Sequence, residues 1–563
     1  MLRLTRRWLA DDRFSGSRLV VVTRRAIQDE RVPAPDPAAT AVWGFVRSAQ
    51  TENPDRLTLA DTDDRPESWL CLGAAVATGE PQLKIRAGRV TTPRLAHVHG
   101  APAGREPFDG AVGSRTVLIT GGTGRLGAVV ARHLVARHGV RRLMLTGRRG
   151  AAAPGAARLR DELTAAGAHV EVVACDVTSR RSVAELIAAV PEEHPLTAVI
   201  HCAGVLDDGV VEGLTQDRVG SVLAPKAHGA WHLHTLTRHL DLSAFVLFSS
   251  VASVLGTAGQ AGYAAANAFL NGLAEARRSA GLPAGSLCWG LWAEEGETRL
   301  DIEEADVVRL RRQGVRALST SQGLALLDAA VTRDEAVLVP ARLEAATPGA
   351  GAGPSGSPLL RGLVRTPSGA PGPRHQDETG NDLALRLRSL PPQEAEAVLL
   401  ESVVAQTAIV LGHADTAQVG PAVAFRELGV DSLMALELRN NLTAVTGMKL
   451  PATLAFDYPN PRAVAGFMTA SIEPAPGVAA QSPADALTTE IERLGARLVA
   501  SFGDLADDDK DAVSALLREL PGLVRSAHTT RPAEDDTSPA DIADRIGSAS
   551  AGELLSLLDE ELG

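Results

Sequence analysis

Thr116-Val-Leu-Ile-Thr120-Gly-Gly-Thr-Gly-Arg-Leu-Gly127 begins as a short apolar run, turns through glycines and leads into a helical pattern over 128–137. Gly122, Gly124 and Gly127 fit G-x-G-x-x-G. In a strand-turn-helix setting such glycines permit a tight turn and close backbone approach, and the helix N-terminus faces a pyrophosphate. Thr120, Gly122, Thr123, Gly124, Arg125, Leu126 and Gly127 are thus candidate dinucleotide contacts.

Working outward, strand and helix patterns alternate from Thr116 to about residue 340. The apolar strands are Val117–Ile119, Arg142–Leu145, Val170–Val173, Ala198–Ile200 and Phe245–Phe248. This alternation predicts an α/β fold with a Rossmann-like, doubly wound parallel sheet. The second strand runs into Arg148 and Arg149, where an NAD site would carry an acid for the ribose 2′-hydroxyl. Arginine there suits a 2′-phosphate, so NADPH is expected. Asp176 and Val177, and Ala203 and Gly204, follow later strands at the sheet's carboxyl edge and are placed by position beside adenine and ribose.

Reducing a ketone with a hydride requires a proton donor, a group that polarises the carbonyl, and a cation that acidifies a phenol. The chain has two tyrosines, and Tyr263 precedes Asn267 by four residues, about one helical turn. Ser250 ends the apolar strand thirteen residues before Tyr263. Four lysines occur in the chain, Lys84, Lys226, Lys449 and Lys510.

The glycine run, His201-Cys-Ala-Gly204, Ser250, Tyr263 and Asn267 together resemble the short-chain dehydrogenase/reductase family. Asn267 stands where Tyr-x-x-x-Lys is usual. Ketoreductase domains of modular type I polyketide synthases make the same departure, with the lysine moved into a segment like Leu223-Ala-Pro-Lys226-Ala-His-Gly-Ala-Trp231. The resemblance implies Tyr263 as proton donor, Ser250 as carbonyl hydrogen-bonder, Lys226 lowering the tyrosine pKa and relaying protons, and Asn267 ordering the site. It also implies that residues 1–108, with their helix around Trp43, are a degenerate, cofactor-free Rossmann half. That half normally begins upstream of the position matching Met1, so its first strands are expected to be missing. Leu206-Asp207-Asp208 and the absence of tryptophan at Leu255 resemble the B type, which gives a D-configured β-hydroxyl. Gln260 and Ala266 stand where epimerising subtypes place His and Pro, so no epimerase function is expected.

Residues 346–385 are rich in Gly, Pro and Ser and read as a flexible linker after the catalytic domain, 109–345. An all-helical unit follows over 386–471. There Asp431 is a good N-cap that leaves Ser432 on an exposed first turn, with Met434, Leu438 and Leu442 on one apolar face. Asp431-Ser432-Leu433 and Leu450-Pro-Ala-Thr-Leu-Ala-Phe-Asp-Tyr458 resemble acyl carrier domains, four-helix bundles in which the serine bears 4′-phosphopantetheine added by a phosphopantetheinyl transferase. A second linker, 472–484, precedes tail helices over 485–563. Leu487, Ile491, Leu494 and Leu498 form a heptad seam suited to a homodimer, and Ser550-Ala-Gly-Glu553 opens an acidic terminal helix. Such a tail resembles a docking domain that recruits a downstream synthase subunit.

Composition narrows the remaining classes. At 563 residues with a net charge of -12, and with basic residues spread along the chain, the sequence is multidomain and nucleic acid is not an expected partner. Cys71, Cys175, Cys202 and Cys288 have no metal-ligand spacing, so no metal is expected and a reducing, cytoplasmic setting is. No apolar run is long enough to enter a membrane. The function expected is NADPH-dependent reduction of a carrier-bound β-ketoacyl thioester. Two alternatives remain: an inactive reductase serving as a carrier and docking scaffold, and a free-standing short-chain reductase.

Overall fold

The computed structural model describes residues 1–29, 34–98, 108, 115–293, 314–343, 358–363 and 383–472, apart from 384–386, 388, 389, 414 and 452. The tail helices expected over 485–563 lie outside the described residues, as does most of the 346–385 linker.

The N-terminal part opens with α1 (Leu2–Ala10) and alternates β1 (Leu19–Arg24), α2 (Pro37–Glu52), β2 (Leu57–Thr62), α3 (Pro66–Leu70), α4 (Leu72–Ala77), β3 (Gln82–Arg86) and β4 (Arg89–Thr91). These strands form one sheet in the order β1-β2-β3-β4, with β4 antiparallel at its edge. Asp36 caps α2 by accepting from Ala38 N–H, and Pro37 occupies a position that needs no donor.

The catalytic part runs through β5 (Thr116–Thr120), α5 (Arg125–His138), β6 (Arg142–Gly147), α6 (Ala156–Ala165), β7 (His169–Ala174), α7 (Arg180–Ala188), β8 (Leu196–His201), α8 (Gln216–Leu223), α9 (Gly229–Thr237) and β9 (Ala244–Ser250). It continues through α10 (Ala252–Leu255), α11 (Ala261–Ser279), β10 (Gly285–Trp289), β11 (Val315–Arg316), α12 (Thr320–Val331), β12 (Val337–Leu338) and β13 (Arg342–Leu343). Seven strands pair in the order β7-β6-β5-β8-β9-β10-β12, all parallel.

The apolar runs are continuous because both faces of this sheet are covered. Val117 and Ile119 of β5 pack toward α5, α6 and α12, whereas Leu118 between them packs toward α7, α9 and α11. Leu143 and Leu145 against Met144, and Ala198 and Ile200 against Val199, repeat the same period of two. The chain leaves β5 in one direction through β6 and β7, then returns to build β8, β9 and β10 on the other side. That reversal opens a crevice beyond the carboxyl ends of β5 and β8, where ligands of such sheets bind.

The two parts meet through α2 and α11. A β-carbon on Gly44 would collide with the Ala264 carbonyl and lie 2.6 Å from the Ala268 methyl, so the absence of a side chain lets the helices cross at close range. Trp43, Phe45, Ala261 and Ala265 fill the surrounding core. The alanine-rich start of α11 is therefore explained by packing, and this packing fixes the helix that carries Tyr263.

The all-helical unit consists of α13 (Pro392–Leu411), α14 (Ser432–Thr446), the short α15 (Leu454–Asp457) and α16 (Pro461–Ala470) around Leu399, Val403, Leu438, Leu442 and Met468. Two boundaries differ from the sequence reading. Leu359, inside the stretch read as linker, is buried and accepts from Leu95 N–H at 2.8 Å, because Leu359 and Leu360 form an apolar anchor within a Gly/Pro-rich composition. Phe108, read as the last residue of the N-terminal part, belongs to the core of the seven-stranded sheet beside His138.

Candidate active site

At the cofactor loop, Gly121 takes a left-handed backbone (φ 68°) as the chain leaves β5. A β-carbon there would sit 2.8 Å from Ala203 N, and one on Gly122 would sit 2.8 Å from the Ile119 carbonyl. The loop is thus pressed against the start of the Ala203-Gly204 turn, and side chains are excluded from it. Helix α5 starts at Arg125, three residues earlier than its apolar pattern suggested, with Gly124 as N-cap and no side chain capping it. Its first-turn amides remain available to an anion.

Arg148 and Arg149 are exposed, and neither makes a side-chain hydrogen bond or ion pair among the described residues. Arg148 lines an open cleft of about 340 Å³ with Cys175 and Asp176. One Asp176 oxygen accepts from the Thr178 backbone and hydroxyl, while Val177 is buried. An uncapped helix N-terminus, a glycine-walled turn and Arg148 in a cleft, with exposed Arg149 next to it in sequence, fit a dinucleotide with a 2′-phosphate. NADPH is the cofactor expected from those two arginines in the sequence.

Lys226 sits where α8 and α9 join through a π-helical turn, Ala224–His228. Pro225 has no N–H to donate, and Gly229 N–H reaches back five residues to the Ala224 carbonyl. This turn directs Lys226 inward. Its Nζ donates to the Phe248 carbonyl at 2.8 Å and lies 5.5 Å from the centre of the Tyr263 ring. Burial lowers its pKa to about 8.

Tyr263 is half-buried on the first turn of α11, and Ser250 ends β9. Burial pushes the Tyr263 phenol up, while its hydrogen bonds with Asn267 and Ser250 pull it down. Asn267 is fully buried and its Nδ2 donates to the Tyr263 carbonyl at 2.9 Å, but its Oδ1 has no protein partner among the described residues. Lys226 from the π turn, Ser250 from the end of β9, and Tyr263 and Asn267 from α11 therefore meet at the carboxyl edge of the sheet.

Of the residues expected to orient substrate, Asp207, Asp208 and Gln260 belong to one linked rim. Arg218 Nε donates to Asp207 Oδ1 at 2.8 Å and its Nη2 to the Asp208 carbonyl at 2.6 Å. Gln260 Nε2 donates to Asp208 Oδ2 at 2.7 Å, and Gly209 N–H donates to the Gly259 carbonyl. Leu206 is exposed beside them, and Leu255 is half-buried at the end of α10.

Two residues were missed by sequence reasoning. His201 is buried, with Nδ1 2.7 Å from the Thr120 hydroxyl and Nε2 donating to the Lys226 carbonyl at 3.1 Å. It thereby ties the cofactor strand to the π turn, and burial together with the Lys226 charge lowers its pKa to about 3. Glu52, the last residue of α2, accepts from Val211 N–H at 2.7 Å and Gly259 N–H at 2.9 Å, joining both edges of the rim. Burial raises its carboxyl to about 7. His201 stood in a recognised motif; nothing local distinguished Glu52.

On the carrier unit, Asp431 accepts from Leu433 N–H and Met434 N–H at 2.8 and 2.7 Å, and Ser432 is exposed. All four cysteines are unbridged, and no helix among the described residues is long and apolar enough to cross a membrane.

Three family models match separate stretches of the chain. Residues 1–95 match the family "Polyketide synthase extender module SpnB, Rossmann fold domain", residues 115–294 match "KR domain", and residues 401–468 match "Phosphopantetheine attachment site". The chain is 48% identical to the spectinabilin polyketide synthase system protein NorA' of Streptomyces orinoci over 97% of its own length, but covers 15% of that protein. It is 49% identical to the mycoketide-CoA synthase of Mycobacterium tuberculosis over 67% of its length and 9% of that protein. The chain thus spans a small part of the curated relatives it matches. Among solved structures, an A-type ketoreductase from a modular polyketide synthase is 42% identical with a TM-score of 0.55, over 61% of this chain and 72% of that one. A C2-type ketoreductase is 33% identical with a TM-score of 0.52, over 58% and 70%. From the shared fold, the assembled site and these likenesses, the chain belongs to the ketoreductases of modular polyketide synthases, here joined to a phosphopantetheine-bearing carrier domain.

Proposed function

We propose that the chain reduces a β-ketoacyl thioester held on the Ser432 arm to the β-hydroxyacyl thioester, using NADPH. The observation that carries this reading is the convergence of Lys226, Ser250, Tyr263 and Asn267 beside the glycine turn. NADPH, when bound, supplies the hydride. Ser250 donates to the ketone oxygen and draws electron density from the carbon, and Tyr263 gives its phenolic proton to that oxygen as charge builds on it. The Lys226 ammonium stabilises the phenolate left behind. The unpartnered Asn267 Oδ1 is suited to hold a water through which Tyr263 regains its proton.

The arm delivers substrate at high effective concentration. The Leu206-Asp207-Asp208 rim, braced by Arg218 and Gln260, supports the B-type reading and a D-hydroxyl product. The comparisons include A-type and C2-type reductases, so the overall likeness does not choose the stereochemistry. A homodimeric docking tail that passes the chain to a downstream subunit, and loading by a phosphopantetheinyl transferase, complete the proposal.

The test is co-expression with a phosphopantetheinyl transferase, a mass measurement at Ser432, and NADPH oxidation with a β-ketoacyl thioester followed by chiral analysis. Turnover to the D-hydroxy product, lost in Tyr263→Phe, is expected. A modified Ser432 without NADPH oxidation would refute the reductase reading and leave a scaffold.

A further inference from the structure

Helix α2 ends in carbonyls that its own sequence leaves uncompensated, since its last turn has no basic residue. The carrier supplies the missing donors. Arg439 Nη2 donates to the Glu52 carbonyl at 3.2 Å, and Asn440 Nδ2 donates to the Thr51 and Glu52 carbonyls at 3.3 Å each. At the start of α14, the helix that carries Arg439 and Asn440, Leu433 packs on the turn before α11: a β-carbon on Gly259 would be 3.1 Å from Leu433 Cδ2. Gly259 is the neighbour of Gln260 and lies four residues before Tyr263. Ser432, which precedes Leu433, is exposed beside this contact.

We propose that the C-terminal end of α2 and the Gly259 turn form a docking seat for this chain's own carrier, with Arg439, Asn440 and Leu433 of α14 presenting the Ser432 arm at the mouth of the Tyr263 site. The proposal rests on the reductase reading above. The seat touches the residue that organises the rim, because the Glu52 carboxylate holds Val211 and Gly259 while the Glu52 carbonyl receives the carrier. Its polarity suits a stop that is made and left. Arg439 Nε, Asn440 Oδ1 and Thr443 Oγ1 are buried without a protein partner among the described residues, which keeps the contact weak. A carrier that also serves other stations needs such reversibility.

The experiment uses the full chain with its pantetheine arm, comparing wild type, Arg439→Ala and the isosteric Asn440→Asp. Two rates are read: single-turnover reduction of a β-ketoacyl group loaded on Ser432, and steady-state reduction of a diffusible N-acetylcysteamine β-ketothioester. Mass measurement of arm loading reports whether each carrier is folded. A fall of about tenfold or more in the tethered rate, with the diffusible rate unchanged and loading complete, is expected. Unchanged tethered rates overturn the docking seat, as does an equal fall in both rates, which would place the effect inside the reductase. If the wild-type chain reduces neither substrate, the reductase reading fails and the seat falls with it.

Discussion

Replacing Lys226 by Met tests the electrostatic part of the site most directly. Methionine keeps the unbranched shape in a buried position but removes the charge 5.5 Å from the Tyr263 ring. Two unit charges at that separation, with an effective dielectric constant of about 20, interact by about 3 kcal/mol. This corresponds to about two pKa units for the phenol. Because the proton is only partly transferred in the transition state, kcat is expected to fall by about ten- to a hundredfold. The pH profile separates this cause from a packing defect. Burial lowers the Lys226 pKa to about 8, and the ammonium is the active form, so wild-type reduction should decline as pH rises through about 8. Lys226→Met should be slower below pH 8 and lack that limb. The assay is NADPH oxidation with a diffusible β-ketothioester from pH 6 to 10. A variant that keeps both the wild-type kcat and the limb near pH 8 would refute the assignment of the cation.

Glu52→Gln should remove a titration from the stability curve. The folded carboxyl is raised to about 7 from 4.5, so its contribution is fully present below 4.5 and is lost as pH rises through about 7. That interval corresponds to about 3 kcal/mol, and thermal melting of the wild type should weaken from pH 4.5 to 7.5 relative to Glu52→Gln. His201→Leu leaves the Thr120 hydroxyl without its buried partner and the Lys226 carbonyl with only the Gly229 N–H; a loss of about 1–3 kcal/mol is expected, with a fall in kcat. An unchanged kcat would mean that the π turn holds Lys226 without the ring. Arg148→Ala combined with Arg149→Ala should raise KM for NADPH by at least about tenfold and leave KM for NADH unchanged, and equal effects on both cofactors would remove the 2′-phosphate assignment.

The strands β5, β6, β8 and β9 were legible because each is buried on both faces and therefore appears as an apolar run, whereas β7, half-exposed at the sheet edge, carries Glu171 within its valines. Val117–Ile119 and Ala198–Ile200 lie inside β5 and β8. β12 was not read, since an edge strand of two residues carries too little pattern to separate it from loop, and β10, as long as β5, was not read because Gly285 and Ser286 shorten its apolar run to three residues. The glycine turn and the Asp431 cap were legible because local backbone geometry alone requires those residue types. Lys226 was reached through family likeness, and the π turn that directs it depends on Pro225 and on a hydrogen bond from His201, neither of which has a periodic signature.

Sequence by itself determined the cofactor turn, the cap before Ser432 and the one-turn spacing of Tyr263 and Asn267, because these depend on short-range chemistry: a glycine where no β-carbon fits, a carboxylate that caps a helix, a phenol one turn from an amide. Tertiary structure alone decided how far Lys226 stands from Tyr263, that His201 joins β5 to the π turn, and that Glu52 of α2 braces the rim 159 residues away at Val211. Those relations arise from the close crossing of α2 on α11 and from burial that holds charges and amides in fixed positions. The residues concerned lie between 25 and 159 residues apart in sequence, beyond the reach of a single helix turn or loop, so only the folded chain brings them together.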